Sequence, residues 1–158
     1  MSQQATDLAV RRSIVVEAPQ ERAFTVFTEG MSTWWPLETH HIGEQKAEAA
    51  VVEPQAGGRW YERAADGTEC DWGTVLEWDP PNRILLAWHL TPEFTYDPDT
   101  AMSTQVDVRF TATSATETHV ALEHRGFEVH GDGGESMRAA VAAPGGWGGL
   151  LQLYAAAA

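Results

Sequence analysis

A chain of 158 residues fits one domain, and at that size folding buries roughly 70% of the surface that the unfolded chain exposes. Hydrophobic residues make up 43% of the chain and charged residues 21%, a globular balance and not a disordered one. Ten lysines and arginines stand against 23 aspartates and glutamates, a formal net charge of −13 with Lys46 the only lysine, and a surface of that sign repels phosphate backbones and anionic lipid, which excludes nucleic-acid and membrane-surface roles.

At the N-terminus, residues 1–12 (MSQQATDLAVRR) hold no apolar stretch after a basic start, so no signal peptide is expected and the cytoplasm is the expected compartment. Residues 8–17 alternate imperfectly through Val10, Ile14 and Val16, which predicts a first strand. A helix comes next, with Pro19 near its first turn and Ala23, Phe24, Val26 and Phe27 as its apolar side; Gly30 ends it. Residues 31–35 predict a second short helical turn, closed by Pro36 because the residue before a proline avoids the helical region.

From about residue 48 the period becomes two. Six strands are predicted over 50–53, 58–63, 68–78, 83–90, 103–112 and 116–125. Their separators are turn chemistry: QAGG, ADG, DPPN, the long loop TPEFTYDPDTAM, and SAT. Connections of this kind build an antiparallel meander, not a parallel sheet with crossover helices. Alanine-rich helix-forming sequence begins at about residue 135, is broken or kinked by Pro144-Gly145-Gly146, and resumes over 147–156 with Leu150, Leu151 and Tyr154 on an apolar stripe. The longest apolar runs, such as residues 84–88, are far too short to cross a bilayer. No internal repeat or linker interrupts the chain, and residues 1–158 are read as one domain.

Several words of the sequence, in this order, carry a resemblance: VVEAPQERAFTVFT (15–28), TWWP (33–36), EPQAGGRWYERAADGTECDWGTVLEWDPPNRILLAWHL (53–90), TQVDVRFTA (104–112), THVALEHRGF (118–127) and GGWGGLLQLY (145–154). Together they resemble the START-like helix-grip superfamily, also called SRPBCC or polyketide cyclase/lipid-transfer. The branch they resemble is that of the C-terminal domain of the activator of the ninety-kilodalton heat-shock protein ATPase. The resemblance covers nearly the whole chain. It implies an α+β helix-grip fold, in which a curved antiparallel sheet of about seven strands wraps around a long C-terminal helix, with two short helices after the first strand and a cavity between sheet and helix. A space of that kind is the default ligand site. Proteins of this superfamily include ligand carriers, cyclases, dehydratases and chaperone regulators, so fold alone does not choose among roles.

Strand alternation assigns faces. Val106, Val108 and Phe110 are expected inward, with Asp107 and Arg109 outward; Val120, Leu122 and His124 share the inner phase. Ile84, Leu86, Trp88 and Leu90 point inward and leave His89 outward. Cys70, Trp72, Leu76 and Trp78 form another inward set, opposite Asp71 and Glu77. Trp60 is placed inward, and Glu62 shares its face. Glu62 and His124 are thus polar exceptions on an apolar wall, where a carboxyl and an imidazole orient a ligand or shuttle a proton, or else serve as satisfied structural groups. Trp34, Trp35 and Trp147 stand at the ends of the grip, as a stacking wall for a planar ligand or as core. The candidate ligand-binding set is Trp34, Trp60, Glu62, Trp72, Trp88, Phe110, His124 and Trp147.

Other motifs point nowhere specific. His40 and His41 are adjacent, so their side chains diverge in either an extended or a helical segment and are poorly placed to share one ion. No metal site and no cofactor are expected. No nucleophile elbow, phosphate loop or dinucleotide fingerprint occurs, and GGWGG at 145–149 lacks the leading strand that a phosphate cradle needs. Cys70, the only cysteine, reads as a small buried side chain. The expected function is binding of a small apolar or aromatic molecule in the sheet-helix cavity. A cyclase or dehydratase using His124 or Glu62 is the alternative. A chaperone-associated module ranks third, since so short a chain lacks the N-terminal half of the eukaryotic regulators; a homodimer is compatible with the superfamily.

Overall fold

The computed structural model describes residues 9–158, so the predicted strand start at Leu8 lies outside the described residues. Seven segments are extended: β1 (Val10–Val16), β2 (Ala47–Val52), β3 (Arg59–Ala64), β4 (Glu69–Asp79), β5 (Arg83–Trp88), β6 (Thr104–Ser114) and β7 (Glu117–Arg125). They pair antiparallel throughout, in the order β1-β7-β6-β5-β4-β3-β2, so consecutive strands from β2 to β7 are neighbours and β1 closes the far edge beside β7. The helices are α1 (Gln20–Phe27), α2 (Asp132–Ala142) and α3 (Trp147–Ala157), with a 3₁₀ turn at Met31–Thr33. This is the helix-grip architecture: a curled sheet holding a long bent C-terminal helix. Among the described residues no helix is long and apolar enough to cross a membrane.

Period-two patterning explains most of the inner face. Along β7, Thr118, Val120, Leu122 and His124 are buried while the intervening residues are partly exposed. The register sets these beside the inward residues of β6, pairing Val106 with His124, Val108 with Leu122 and Phe110 with Val120. β5 continues the rows, with Leu86 beside Val106 and Ile84 beside Val108.

β4 departs from the simple pattern. Its register shifts twice, once opposite Trp60 and Tyr61 of β3 and once between Val75 and Glu77 opposite β5. Each extra residue reverses the phase of the strand beyond it. Leu76, expected inward, is therefore 42% exposed, and Val75 takes the core position. Trp72 and Trp78 still reach the inner side, Trp78 packing edge-on against Phe24. Gly73 lies between the two shifts because a side chain there would collide with the Ala87 carbonyl of β5.

Outward does not always mean solvent. His89 lies buried on the outer side, where it donates from Nδ1 to the Asp97 carbonyl (2.9 Å) under the loop after β5. Asp107 is buried on the convex face beneath arginines. Burial alone would raise its carboxyl, but hydrogen bonds from Arg83, Arg125 and Arg109 outweigh that and hold it well below the usual carboxylate range.

The groove between sheet and helices is filled unevenly. At one end α1 lays Phe24 and Phe27 against Phe110, and Phe27 meets Tyr154 of α3 edge-on at 5.1 Å. The Tyr154 hydroxyl donates to the Ala23 carbonyl (2.6 Å), tying α3 to α1. At the other end α2 stops at Ala142, the chain crosses Pro144 and Gly146, and α3 begins at Trp147. The expected break is present, and α2 starts three residues earlier than expected, at Asp132.

Candidate functional site

A cavity of about 340 Å³ opens beneath this helix break. The sheet supplies Trp72, Trp88 and Leu90; the segment after the 3₁₀ turn supplies Trp35, Thr39, His40, His41 and Ile42; the helices supply Ala140, Val141, Trp147 and Leu150. Phe94, from the loop after β5, completes the rim. Four indoles therefore surround one space. Trp35 packs at 5.0 Å on Trp72 and 6.1 Å on Trp147, and Trp88 lies 5.9 Å from Trp147, spacings typical of offset and edge-on aromatic pairs.

Of the residues expected to line the cavity, Trp72, Trp88 and Trp147 do. Trp34 and Phe110 pack into the filled end, Trp34 on Phe27 and Tyr154 and Phe110 on Phe24 and Phe27. Trp60 forms a layer behind the wall, edge-on to both Trp72 and Trp88 at 5.6 Å. Glu62 and His124 also lie behind the wall and hold it in place.

Glu62 is buried and accepts three N–H bonds. Its Oε1 accepts from the Ile42 backbone (2.6 Å) and from the Trp72 indole (2.8 Å), and its Oε2 from the Gly43 backbone (3.1 Å). One carboxylate thus fixes both a wall indole and the loop that forms the facing wall. His124 does the same from β7. Its Nδ1 accepts from the Trp147 indole at 3.0 Å, and since an indole nitrogen only donates, the ring proton must sit on Nε2, which faces the Thr104 hydroxyl at 2.8 Å. Complete burial lowers its pKa to about 3, so the ring is neutral.

The rim is polar where the loop meets the helix break. His40 donates from Nε2 to the Gly145 carbonyl (2.7 Å) and takes the Thr39 hydroxyl on Nδ1 (2.8 Å), while its own carbonyl accepts from the Trp35 indole (2.9 Å). His41 turns to a different partner, the Gly43 carbonyl at 2.9 Å. The two rings thus diverge, as their adjacency requires.

Phe94 stands at the tip of a hairpin-like turn in which the Thr91 amide donates to Thr95 and the Phe94 amide back to Thr91, both at 2.8 Å. Its φ is 60°, a left-handed conformation that L side chains avoid, and its ring is exposed. Non-glycine strain of this kind gathers at ligand clamps. Periodicity could not have found Phe94 or Ile42, because neither lies in a regular element. The one signal for Phe94 in the sequence is the length of the TPEFTYDPDTAM loop, since loops that long inside compact domains are commonly functional.

The model of the family described as activator of Hsp90 ATPase homolog 1-like protein matches residues 17–152. No curated protein matches the chain. Among solved structures, the chain is similar to the anthrahydroquino-gama-pyrone synthase Txn09, at 35% identity over 95% of this chain and 96% of that one, with a TM-score of 0.67. It is also similar to the self-sacrificing resistance protein CalC from Micromonospora echinospora, at 28% identity over 94% and 92% of the two chains, TM-score 0.67. A protein from Nitrosomonas europaea, 16% identical over 94% and 92% with a TM-score of 0.64, shares the fold. Strands β2 to β7, the helix break and the tryptophan-bearing segments fall within the stretch that the family model spans, and the chain belongs to the activator of Hsp90 ATPase homolog 1-like family.

Proposed function

We propose that this protein binds a small apolar or aromatic molecule in the cavity under the helix break. The observation that carries the reading is the wall: four indoles with Leu90, Ile42, Val141 and Leu150 around about 340 Å³, a size and lining suited to a compact organic ligand. Strain at Phe94 and the polar rim at His40 support it. With one cysteine and no disulfide to protect, the chain suits a reducing compartment, and the proposal places it in the cytoplasm. Native mass spectrometry of freshly purified protein, with displacement of an apolar dye by a series of aromatic compounds, tests the reading. A bound small molecule or saturable displacement is expected; a protein that neither retains a ligand nor takes up the dye would refute it.

A second reading, a cyclase- or dehydratase-type enzyme, draws on the 35%-identical neighbour being a synthase. General acid–base chemistry needs a group within about 3 Å of the proton it moves. Glu62, His124 and His40 have their polar atoms engaged, so in this reading the role passes to His41, which lines the cavity and whose Nδ1 donates to the Gly43 carbonyl while Nε2 keeps its lone pair. Loss of turnover in His41→Ala with dye binding intact would favour it over simple carriage.

A further inference from the structure

The cavity wall carries six nitrogen-bearing side chains, and only one of them has a ring nitrogen that is both unpaired and open. The indoles of Trp35, Trp72 and Trp147 donate to the His40 carbonyl, to Glu62 and to His124. The Trp88 Nε1 has no partner among the described residues, but it is fully enclosed and out of a ligand's reach. His40 uses both ring nitrogens, Nε2 on the Gly145 carbonyl and Nδ1 on the Thr39 hydroxyl. His41 uses one: its Nδ1 meets the Gly43 carbonyl at 2.9 Å, and no group among the described residues meets its Nε2. That nitrogen is not sealed, since His41 is half-buried and the enclosed, unpaired side-chain atoms belong to Trp88, His89, His130 and Arg138.

A carbonyl oxygen only accepts, so in the neutral ring the proton sits on Nδ1 and Nε2 carries a lone pair. The ring is held from behind the wall. Glu62 accepts from the Ile42 and Gly43 amides, which fixes the Gly43 carbonyl, and that carbonyl fixes the His41 ring. With Nδ1 turned to the loop's own backbone, Nε2 is the edge left for the cavity that His41 lines. Resting on the ligand-binding reading above, we propose that His41 presents Nε2 to the cavity and that the ligand is an aromatic compound with a ring hydroxyl, which donates to that nitrogen. An aromatic ether of the same outline strips water from Nε2 without replacing its bond, and a site with a preset polar partner discriminates against such an analogue. The preference rests on that one bond, worth about tenfold in affinity.

A naphthol and its methyl ether, substituted at the same ring position, are the probes: both carry the oxygen and only the naphthol can donate. Each displaces dye from wild type and from His41→Phe, which keeps an aromatic ring and removes the acceptor. The affinity of the naphthol relative to the ether is expected to be about tenfold higher in wild type than in His41→Phe. Because the ratio is taken within each protein, a general loss of affinity in the variant does not enter it. The second measurement needs no variant: in protein labelled with ¹⁵N at histidine, the His41 Nε2 resonance is expected to keep the position of a hydrogen-bonded acceptor with the naphthol and to move downfield with the ether. An equal ratio in the two proteins, or the same Nε2 position in the two complexes, would overturn the inference while the cavity reading stands. If neither probe displaces the dye, both fall together.

Discussion

His124 illustrates how burial decides the role of a titratable side chain. It sits inward on β7, where alternation predicts it, but its surroundings keep it neutral in the folded state with a pKa of about 3. The unfolded chain takes up a proton there near pH 6.5. The folded pKa is depressed, so the unfolded state binds more protons across the interval from about 6.5 down to 3, and stability falls as pH falls through it. Between pH 7 and pH 5 the loss from this one group is about 2 kcal/mol. Urea denaturation of wild type and His124→Gln at both pH values measures it: the variant is expected to be less stable at pH 7 and to lose about 2 kcal/mol less on acidification. A parallel decline in both proteins would show that His124 is not held neutral by the fold. Glu62 is fixed in place by hydrogen bonds, since three N–H donors converge on it. Periodicity places both residues inward, but their partners come from the 42–43 segment and from α3, distant contacts that no local pattern records.

Among the strands, patterning suffices wherever one strand faces one layer. β5, β6 as far as Phe110, and β7 obey it on the inner face. It fails in β4, because a bulge changes phase without changing composition, so Leu76 and Val75 exchange places. The helix break is legible because proline and glycine act through the backbone itself. Its two glycines, however, are not equivalent. A Cβ on Gly145 meets nothing within 4 Å, whereas one on Gly146 would run into the Val141 carbonyl at the end of α2. Gly145→Ala is accordingly expected to leave stability unchanged or raise it by about 0.4–1 kcal/mol through the unfolded state. Gly146→Ala should lower it by more than about 1 kcal/mol and weaken dye binding, because the junction that carries Trp147 must shift. Thermal melts and dye titrations of the pair check this; equal behaviour of the two variants would mean that the close approach at Gly146 does not set the break.

Across the protein, stability and the proposed binding are spatially separated along one groove. The filled end joins α1, α3 and the sheet through Phe24, Phe27, Phe110 and Tyr154, and the open end leaves four indoles around a cavity. Truncating a wall tryptophan confounds the two, since removal of a buried aromatic typically costs about 3–5 kcal/mol whatever it binds. Ala140 offers a cleaner probe, because it lines the cavity from α2 yet is itself exposed. Ala140→Phe adds a ring at the cavity wall without emptying the core, and an exposed helical substitution of this kind moves stability by no more than about 0.5 kcal/mol. Phe27→Ala, in the filled end, should do the reverse, costing about 3–5 kcal/mol while leaving the cavity wall in place. The expected pair of outcomes is loss of dye binding at wild-type stability for the first, and retained dye binding at reduced stability, measured below the melting transition, for the second. If Ala140→Phe binds dye as wild type does, the ligand enters elsewhere. If Phe27→Ala abolishes binding while still folded, the two ends of the groove are coupled, and the division between a load-carrying end and a binding end is wrong.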